Sequence, residues 1–254
     1  MVGTRKLVRL LDHAESAGAK VVLVGDPCQL PELAAGGAFA GLARRLGGPG
    51  LTENRRQAAA WERGALAHLR AGEAGRAVDT YLAHGRVHTA DSEDDARAQL
   101  VADWWHARQA GEVAVMVAPR LREVDDLNRR ARTYLKDSAV LSSDLVLGHR
   151  SFAMGDEVLA LRNDYEVGIL NGTTGRIELL DRLGRRLFLR NEDGRLLEVP
   201  FAYAEAGHLT HGYATTIHKA QGSTVARAFV LADDTMSREH IYTALSRGVR
   251  RTDL

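Results

Sequence analysis

The chain has 254 residues, of which 45% are hydrophobic, and its formal net charge is +1 at pH 7. This length and apolar content favour one or two globular domains, and no run approaches the roughly 18 apolar residues of a membrane-spanning helix. No apolar signal core follows the N-terminus, so we expect a cytoplasmic protein without a membrane partner. The near-neutral charge indicates no general basic surface, and the single cysteine, Cys28, excludes an internal disulfide.

The first part of the chain is typical of a helix, a buried strand and a second helix. Apolar residues recur at helical spacing after Thr4, the predicted N-cap, and Gly18 ends the pattern. Residues 20–25 form an aliphatic run that predicts a strand buried on both faces in a parallel sheet. A short helix is predicted over residues 36–46.

A Gly-Gly-Pro-Gly segment at residues 47–50 is the clearest linker, and we place the first domain boundary there. Beyond it, helical and strand patterns alternate, which indicates a parallel α/β sheet. The predicted helices cover 58–70, 75–84, 94–109 and 121–136, and the predicted strands cover 86–88 and 113–118. Trp104 and Trp105 fall in the third of these helices, where one of the pair is expected in the core.

After residue 150 the pattern changes to short strands separated by turn signals such as Asn171-Gly172 and Asp193-Gly194. The predicted strands cover 157–162, 174–180, 186–190 and 196–199. We therefore expect a small antiparallel barrel inserted in the α/β domain. The α/β pattern resumes at His208, with a short helix, a strand over 226–231 and a helix over 237–245.

Residues 212–224, G-Y-A-T-T-I-H-K-A-Q-G-S-T, form the most distinctive segment. Hydroxyl, imidazole, ammonium and amide groups crowd into a few positions, a mixture that a hydrophobic core does not need. The chain has four lysines against thirty arginines, and one of the four, Lys219, lies here beside Gln221 with one residue between them. This density of polar groups favours a binding site.

Three further segments carry groups suited to phosphate chemistry. An aliphatic run ends in an acidic, glutamine-bearing loop at residues 21–30 (V-V-L-V-G-D-P-C-Q-L), and two arginines lie in residues 51–57 (L-T-E-N-R-R-Q). A predicted helix ends in an arginine at residues 240–248 (H-I-Y-T-A-L-S-R-G). Loops after parallel strands bind ligands in open α/β sheets, and guanidinium groups match phosphate oxygens.

In this order and spacing, the four segments resemble motifs III, IV, V and VI of superfamily 1 DNA helicases of the RecD-like type. Within that type the resemblance is greatest to the helicase part of MobF or TraA conjugative relaxases. It spans nearly the whole chain and implies an α/β fold, a RecA-like parallel-sheet domain of the P-loop NTPase type with an inserted SH3-like small β-barrel. The implied domains are a remnant of the first RecA-like motor domain (1–48), the second RecA-like domain (49–150 and 207–254) and the SH3-like insertion (151–206).

The resemblance also implies a role for individual residues. Gln29 corresponds to the motif III glutamine, Arg56 to the motif IV arginine and Arg247 to the motif VI arginine finger, so these are the expected catalytic residues. The residues expected to contact ATP are Gly25, Asp26, Gln29, Arg56, Gln221, Gly222 and Arg247. The residues expected to contact DNA are Thr215, Thr216, His218 and Lys219.

Two parts of such a motor are missing from the sequence: a G-x-x-x-x-G-K-[ST] phosphate loop and an Asp-Glu-Ala motif that would hold Mg²⁺. We therefore expect the C-terminal part of a helicase, and the resemblance alone implies 5′-to-3′ movement on single-stranded DNA. It would use ATP and Mg²⁺ together with the N-terminal part of its motor, and would bind neither ATP nor a metal alone. A RecD-type recombination or repair helicase and a non-catalytic DNA-binding module derived from such a helicase remain as alternatives.

Overall fold

The computed structural model of the protein describes residues 2–31, 38–51 and 53–254. Its helices in these ranges are α1 (Thr4–Ser16), α2 (Ala38–Leu46), α3 (Ala60–Ala71), α4 (Ala74–Ala83), α5 (Glu93–Gln109), α6 (Leu121–Asp137), α7 (Phe201–Glu205), α8 (Ile217–Ala220) and α9 (Arg238–Leu245). Its strands are β1 (Ala114–Ala118), β2 (Leu145–Leu147), β3 (Arg150–Phe152), β4 (Glu157–Ala160), β5 (Thr174–Asp181), β6 (Arg186–Asn191), β7 (Leu196–Pro200), β8 (Leu209–His211), β9 (Ala214–Thr216), β10 (Val225–Val230) and β11 (Gly248–Asp253). Across these three ranges, no helix has both the length and the apolar character to cross a membrane.

A four-stranded parallel sheet forms the centre of the chain, in the order β11-β10-β1-β9. In the strand β1, Met116 lies opposite Phe229 on one side and opposite Ala214 on the other. Met116 and Val117 are fully buried, as expected for a strand covered on both faces. The prediction of an α/β fold with a parallel sheet is confirmed.

The helices α5 and α6 pack against this sheet through a core that contains both tryptophans. Trp104 is fully buried, and its Nε1 donates a hydrogen bond to the carbonyl of Ala114 at 3.1 Å. Trp105 is also buried, beside Leu127 and Leu135 of α6. The expectation that one tryptophan lies in the core was therefore too narrow, because α6 covers the second ring as well.

A five-stranded antiparallel sheet, in the order β7-β6-β5-β4-β8, follows the predicted run of short strands. Ile177, Leu187 and Val199 are buried in its core. The sheet also includes β8, which pairs with β4 and lies beyond the predicted end of the insertion at residue 206. The sequence did not predict α7, which begins directly after β7.

Asp156 links the antiparallel sheet to α6 and to the segment that leads into β9. Its carboxylate is fully buried and accepts hydrogen bonds from Arg132 Nε and Nη2, both at 2.9 Å, and from the Tyr213 hydroxyl at 2.6 Å. Burial, together with the negative charge of Asp156, raises the pKa of Tyr213 above its usual value. The neutral hydroxyl therefore remains a hydrogen-bond donor and fixes the start of the polar 212–224 segment.

The predicted buried strand over residues 20–25 is wrong. These residues form no strand in the structure, and the side chains of Val22 and Val24 are 72% and 91% exposed. A parallel strand is buried only where other strands flank it, and no strand of the described ranges pairs with this run. In the helix before it, the N-cap is Gly3 instead of the predicted Thr4.

Two smaller differences concern the edge of the parallel sheet. The predicted strand over 86–88 is not present, although Arg86 and His88 each form one backbone hydrogen bond with Leu254. The sequence did not predict β11, because its Arg-Arg-Thr-Asp end has the composition of an exposed tail. For the helix predicted over 36–46, residues 36 and 37 lie outside the described residues, and the remainder forms α2.

Candidate active site

The polar segments meet beside one end of the parallel sheet, where the loop over residues 26–30 packs against α9. The backbone N–H of Leu30 donates a hydrogen bond to Thr243 Oγ1 at 3.1 Å. The Leu30 side chain is buried against Val117 and Ile217. The N-terminal loop is thus attached to the sheet at the carboxyl ends of its strands, where open α/β sheets bind ligands.

A chain of hydrogen bonds crosses this junction and joins three of the four motif segments. The Tyr242 hydroxyl donates to Asp26 Oδ2 at 2.9 Å, and the Gln29 amide donates to the same oxygen at 3.4 Å. Gln221 Nε2 donates in turn to Gln29 Oε1 at 3.2 Å. Burial, followed by the nearby Asp26 carboxylate, raises the pKa of Tyr242 to about 12. This chain of hydrogen bonds therefore connects α9 to both glutamines.

The segment that holds Arg56 is bound to the end of α9. Gln57 is buried, and its amide donates to the carbonyls of Ser246 and Gly248 at 3.3 and 2.9 Å. Arg56 itself is exposed, and its Nη1 donates to the Ser246 carbonyl at 3.0 Å. No residue of the described ranges accepts a hydrogen bond from the remaining guanidinium N–H groups of Arg56, which are therefore available to a ligand.

These residues border an open cleft of about 230 Å³. Asp26, Gln29, Arg56, Arg70 and Tyr242 all line it. Sequence reasoning did not single out Arg70 or Tyr242. Tyr242 lies within the recognised 240–248 segment, so its position in that segment was an available signal, whereas α3 carries no local pattern that marks Arg70.

Arg247 does not line this cleft. Its side chain is 1% exposed, with Nε donating to the Thr243 carbonyl at 2.8 Å and Nη1 to the Ser223 carbonyl at 3.0 Å. Nη1 also donates to the Ala220 carbonyl at 3.3 Å, and Nη2 donates to Ser246 Oγ at 2.6 Å. Burial, with a smaller contribution from the positive charge of Arg56, lowers the pKa of Arg247 to about 10. In this structure Arg247 therefore connects α9 to the end of the 212–224 segment and does not extend outward.

Three other residues expected to contact ATP differ in their surroundings. Gln221 is half-buried, and its Oε1 has no hydrogen-bond donor within the described residues. Gly222 has a φ of +95°, which favours glycine, and a Cβ there would meet no atom within 4 Å. A Cβ on Gly25 would lie 3.0 Å from the ring of Phe39, so this glycine permits close packing against α2.

The four residues expected to contact DNA lie at the end of β9 and in α8. Thr216 caps α8, because its Oγ1 accepts a hydrogen bond from the Lys219 backbone N–H at 3.2 Å. Thr215 is half-buried in β9, and Lys219 is exposed. The ring of His218 lies edge-on to His240, with 5.5 Å between ring centroids. Burial, and then the neighbouring His240, lowers the pKa of His218, which favours its neutral form.

The geometry therefore divides the sequence-predicted residues into three groups. Asp26, Gln29 and Arg56 line one cleft, and Gln221 contacts Gln29 at its inner side. Arg247 is buried between α9 and the Ala220–Ser223 backbone. The residues expected to contact DNA occupy the β9–α8 turn. Within the three described ranges, no group of three or more His, Cys, Asp or Glu side chains is arranged to hold a metal ion.

Comparison with known proteins gives matches in both halves of the chain. Residues 1–92 match the AAA domain family, and residues 211–251 match the UvrD-like helicase C-terminal domain. The structure resembles the crystal structure of Bacteroides Pif1 bound to single-stranded DNA, with a TM-score of 0.58 at 16% identity. That likeness covers 93% of this chain and 62% of the Pif1 chain, and it shows a shared fold. The predicted resemblance to superfamily 1 helicases is confirmed.

Two curated relatives match nearly the whole chain. The "Probable conjugal transfer protein TraA" of Sinorhizobium fredii is 35% identical over 100% of this chain, which spans 23% of the TraA length. The "ATP-dependent RecD2 DNA helicase" of Deinococcus radiodurans is 32% identical over 97% of this chain, which spans 34% of the RecD2 length. The chain is thus similar to a limited part of each of these longer proteins.

Proposed function

We propose that this chain is the C-terminal part of an ATP-dependent 5′-to-3′ DNA helicase of the conjugative relaxase type. It would couple ATP hydrolysis to movement along single-stranded DNA in the cytoplasm. The observation that carries this proposal is that Gln29 and Arg56, from separate segments, line one cleft, and that Gln221 of a third segment donates a hydrogen bond to Gln29. The similarity to TraA, which covers the whole of this chain and 23% of the TraA length, supports the relaxase type.

The cleft fits the phosphate tail of ATP. Arg56 has guanidinium N–H groups without a protein acceptor, and such groups can donate two parallel hydrogen bonds to phosphate oxygens. Gln29 is held beside the same cleft, where its amide can respond to the terminal phosphate. ATP bound with Mg²⁺ supplies the phosphoryl group for hydrolysis. Since the sequence has no phosphate loop, we propose that the N-terminal part of the motor provides it together with the metal-binding acid.

Arg247 requires a change of state to act as an arginine finger. In the structure its N–H groups are directed at protein carbonyls and a hydroxyl, so contact with a phosphate must replace those hydrogen bonds. Two of the carbonyls belong to Ala220 and Ser223, which directly follow the DNA-facing residues. Release of Arg247 would therefore accompany a movement of α8. An arginine finger raises the rate of phosphoryl transfer by roughly 10³ to 10⁵.

The β9–α8 turn supplies the proposed DNA contact. The Thr215 and Thr216 hydroxyls, the neutral His218 ring and the exposed Lys219 ammonium are all suited to hydrogen bonds with a phosphate backbone. Few cations lie in this turn, so we expect weak binding of single-stranded DNA with a shallow dependence on salt concentration.

We further propose a domain division for the chain. Residues 1–48 belong to a first RecA-like motor domain, and residues 49–150 with 207–254 form the second. The strands β4 to β7 of the antiparallel sheet then form the core of an SH3-like barrel inserted in the second domain, and β8 of the second domain pairs with β4. The hydrophobic cluster of this sheet, which includes Ile177 and Leu187, supports a separate folding unit.

The first test is phosphate release by the isolated chain in the presence of single-stranded DNA. We expect no measurable turnover, because the chain contributes arginines and a glutamine but neither a phosphate loop nor a metal-holding acid. Turnover that DNA stimulates, and that Arg247→Ala abolishes, would contradict the proposal that the site is incomplete.

The second test uses the chain joined to the N-terminal part of its motor. We expect Arg56→Ala and Arg247→Ala to reduce ATP turnover far more than DNA affinity, whereas His218→Ala should do the reverse. Arg195→Ala, a change at an exposed position in the turn between β6 and β7, is the matched control and should alter neither quantity. Unchanged turnover in Arg247→Ala would remove Arg247 from the proposed mechanism.

A further inference from the structure

Arg70 is a half-buried cation at the cleft. It lies in the last turn of α3 and lines the cleft beside Arg56 and Tyr242. No residue of the described ranges forms a hydrogen bond or an ion pair with its guanidinium group. In the same helical turn, His68 Nδ1 lies 2.6 Å from Glu73 Oε2. The nearby acid therefore pairs with His68 and not with Arg70. A partly buried charge with no partner is unfavourable, which indicates a ligand.

The acidic residues of the cleft do not neutralise Arg70. Asp26 accepts hydrogen bonds from the Tyr242 hydroxyl, from the Gln29 amide and from the backbone N–H of Cys28. Glu53 forms an exposed ion pair with Arg55 at 2.7 Å. The cleft is therefore left with the charges of Arg56 and Arg70 against that of Asp26 alone, and both guanidinium groups keep free donors.

A favourable interaction with the α3 dipole accounts for a cation near the end of that helix, but it does not account for the direction of this side chain. Arg70 forms no hydrogen bond with the last carbonyls of α3 in the described structure, and it lines a cleft shared with Gln29 and Arg56. Two guanidinium groups at one opening match an oligophosphate, which carries several closely spaced negative charges.

We propose that Arg70 is a further phosphate-binding residue, which acts with Arg56 on the triphosphate of the bound nucleotide. This assignment rests on the proposed ATP site. It predicts that Arg70 contacts a triphosphate and that the phosphates of a DNA strand do not reach it. The chain alone is not expected to hold a whole nucleotide, because it lacks a phosphate loop, but the two cleft arginines can still form a weak, salt-dependent contact with free tripolyphosphate.

The experiment uses the full chain labelled with ¹⁵N and follows the Nε–Hε signals of its arginines during titration with inorganic tripolyphosphate. The signals of Arg56 and Arg70 are identified from Arg56→Lys and Arg70→Lys. We expect both signals to shift together and to saturate. Arg70→Ala should raise the dissociation constant about tenfold, the loss of one charge-assisted contact. Arg70→Lys should lie between the wild type and Arg70→Ala, because lysine keeps the charge but lacks the planar fork.

Arg76→Ala is the matched control, since Arg76 is an exposed arginine of the adjacent α4 that pairs with Glu73. It should leave the dissociation constant within about twofold of the wild type. Circular dichroism and the unfolding midpoint show whether each variant is folded. A short oligothymidylate at equal phosphate concentration is the competing ligand, and it should leave the Arg70 signal unchanged.

The outcomes separate this inference from the proposed function. If the Arg56 signal moves and Arg70→Ala binds tripolyphosphate like the wild type, the role of Arg70 is wrong and the proposed ATP cleft stands. If the Arg70 signal responds to the oligothymidylate and not to tripolyphosphate, its phosphate partner is DNA and the assignment to the nucleotide is overturned. If neither arginine responds to tripolyphosphate, both the cleft and the role of Arg70 are rejected.

Discussion

Two aliphatic runs of this chain have nearly the same composition and opposite environments. Residues 21–24 (Val-Val-Leu-Val) are exposed, with Val24 at 91%, whereas Val117 of β1 (Ala-Val-Met-Val-Ala) is fully buried. The difference lies in what flanks each run. The strand β1 pairs with β9 and β10 and is covered by α5 and α6, while no strand of the described residues pairs with 21–24. An aliphatic run thus predicts burial only when the elements that cover it are also present.

The largest expected effect tests the buried side of this comparison. Trp104→Ala removes a fully buried ring and its hydrogen bond to the Ala114 carbonyl. We expect it to lower the free energy of unfolding by about 4 kcal/mol, because a large cavity opens beneath β1. Leu10→Ala in α1, where the side chain is 57% exposed, is the control and should change it by less than about 0.5 kcal/mol. Denaturant unfolding of both variants measures the difference, and equal losses would show that the two regions are packed alike.

The second effect concerns β11, a polar strand that is buried because its charges are paired. Asp253 is 3% exposed and accepts hydrogen bonds from Arg227 and Arg251. Burial alone would raise the pKa of its carboxyl group, but the two arginines lower it below the usual value. We expect Asp253→Asn to reduce the free energy of unfolding by about 3 kcal/mol at pH 7, since Arg251 and Arg227 lose their buried carboxylate and only Arg227 keeps a second acid, Glu112.

The sign of the pH dependence follows from that lowered pKa. The contribution of Asp253 is fully present above the pKa of the unfolded state, near 3.8, and is lost as the pH falls through the lower pKa of the folded state. The stability difference between Asp253→Asn and the wild type should therefore shrink in acid. Asp234→Asn, at an exposed position, should show no such difference. If the difference in free energy of unfolding between Asp253→Asn and the wild type stays constant from pH 7 to strong acid, the ion-pair explanation is wrong.

The third effect tests the connection between the two regions. Tyr242→Phe keeps the ring in the core but removes the hydroxyl that donates to Asp26 at 2.9 Å. We expect a loss of about 1 kcal/mol, the usual value for one hydrogen bond. Amide hydrogen exchange should then increase in residues 26–30 more than in β1. Uniform exchange in both segments would show that this bond does not hold the N-terminal loop.

Elements with a local pattern were predicted well from the sequence. The helix α6 begins at the predicted residue, Leu121, and α5 begins one residue before the predicted 94, because nearby residues determine where both helices begin. Ser92, which the sequence analysis did not name, caps α5 in the structure. The strand β11 was missed because its burial depends on ion pairs with Arg227, which lies in another strand. The prediction that residues 21–24 are buried was wrong for a related reason. Their burial depends on residues that are distant in the sequence.

The same distinction holds for the candidate site. The sequence analysis gave Gln29, Arg56 and Gln221 as expected contacts of ATP. In the structure, Gln221 contacts Gln29. The orientation of Arg247 was not predictable, because it depends on carbonyls at Ala220 and Ser223 that only the folded β9–α8 turn presents. The functional roles of these residues stay predictions until the variants are measured.

The smallest expected effect tests the exposed run directly. Replacing Val22 and Val24 by threonine keeps the β-branched shape and exchanges one methyl group of each side chain for a hydroxyl. Since these valines are 72% and 91% exposed, we expect the free energy of unfolding of this chain to change by less than about 0.5 kcal/mol. The matched change in β1, Val117→Thr, places an unpaired hydroxyl in the core and should cost about 2 kcal/mol.

The same double variant also tests whether residues 21–24 are a surface segment or a strand that becomes buried when the rest of the first RecA-like domain is present. If the proposed first RecA-like domain is joined to the chain, its strands would flank residues 21–24 and bury both valines. We expect the threonine pair to cost about 3 kcal/mol in that longer protein, because two hydroxyl groups are then buried without partners. Denaturant unfolding of the short and long proteins, each with and without the change, measures the difference. An effect below about 0.5 kcal/mol in both proteins would show that this run is a surface segment in its own right, and residues 1–48 would no longer belong to a motor domain.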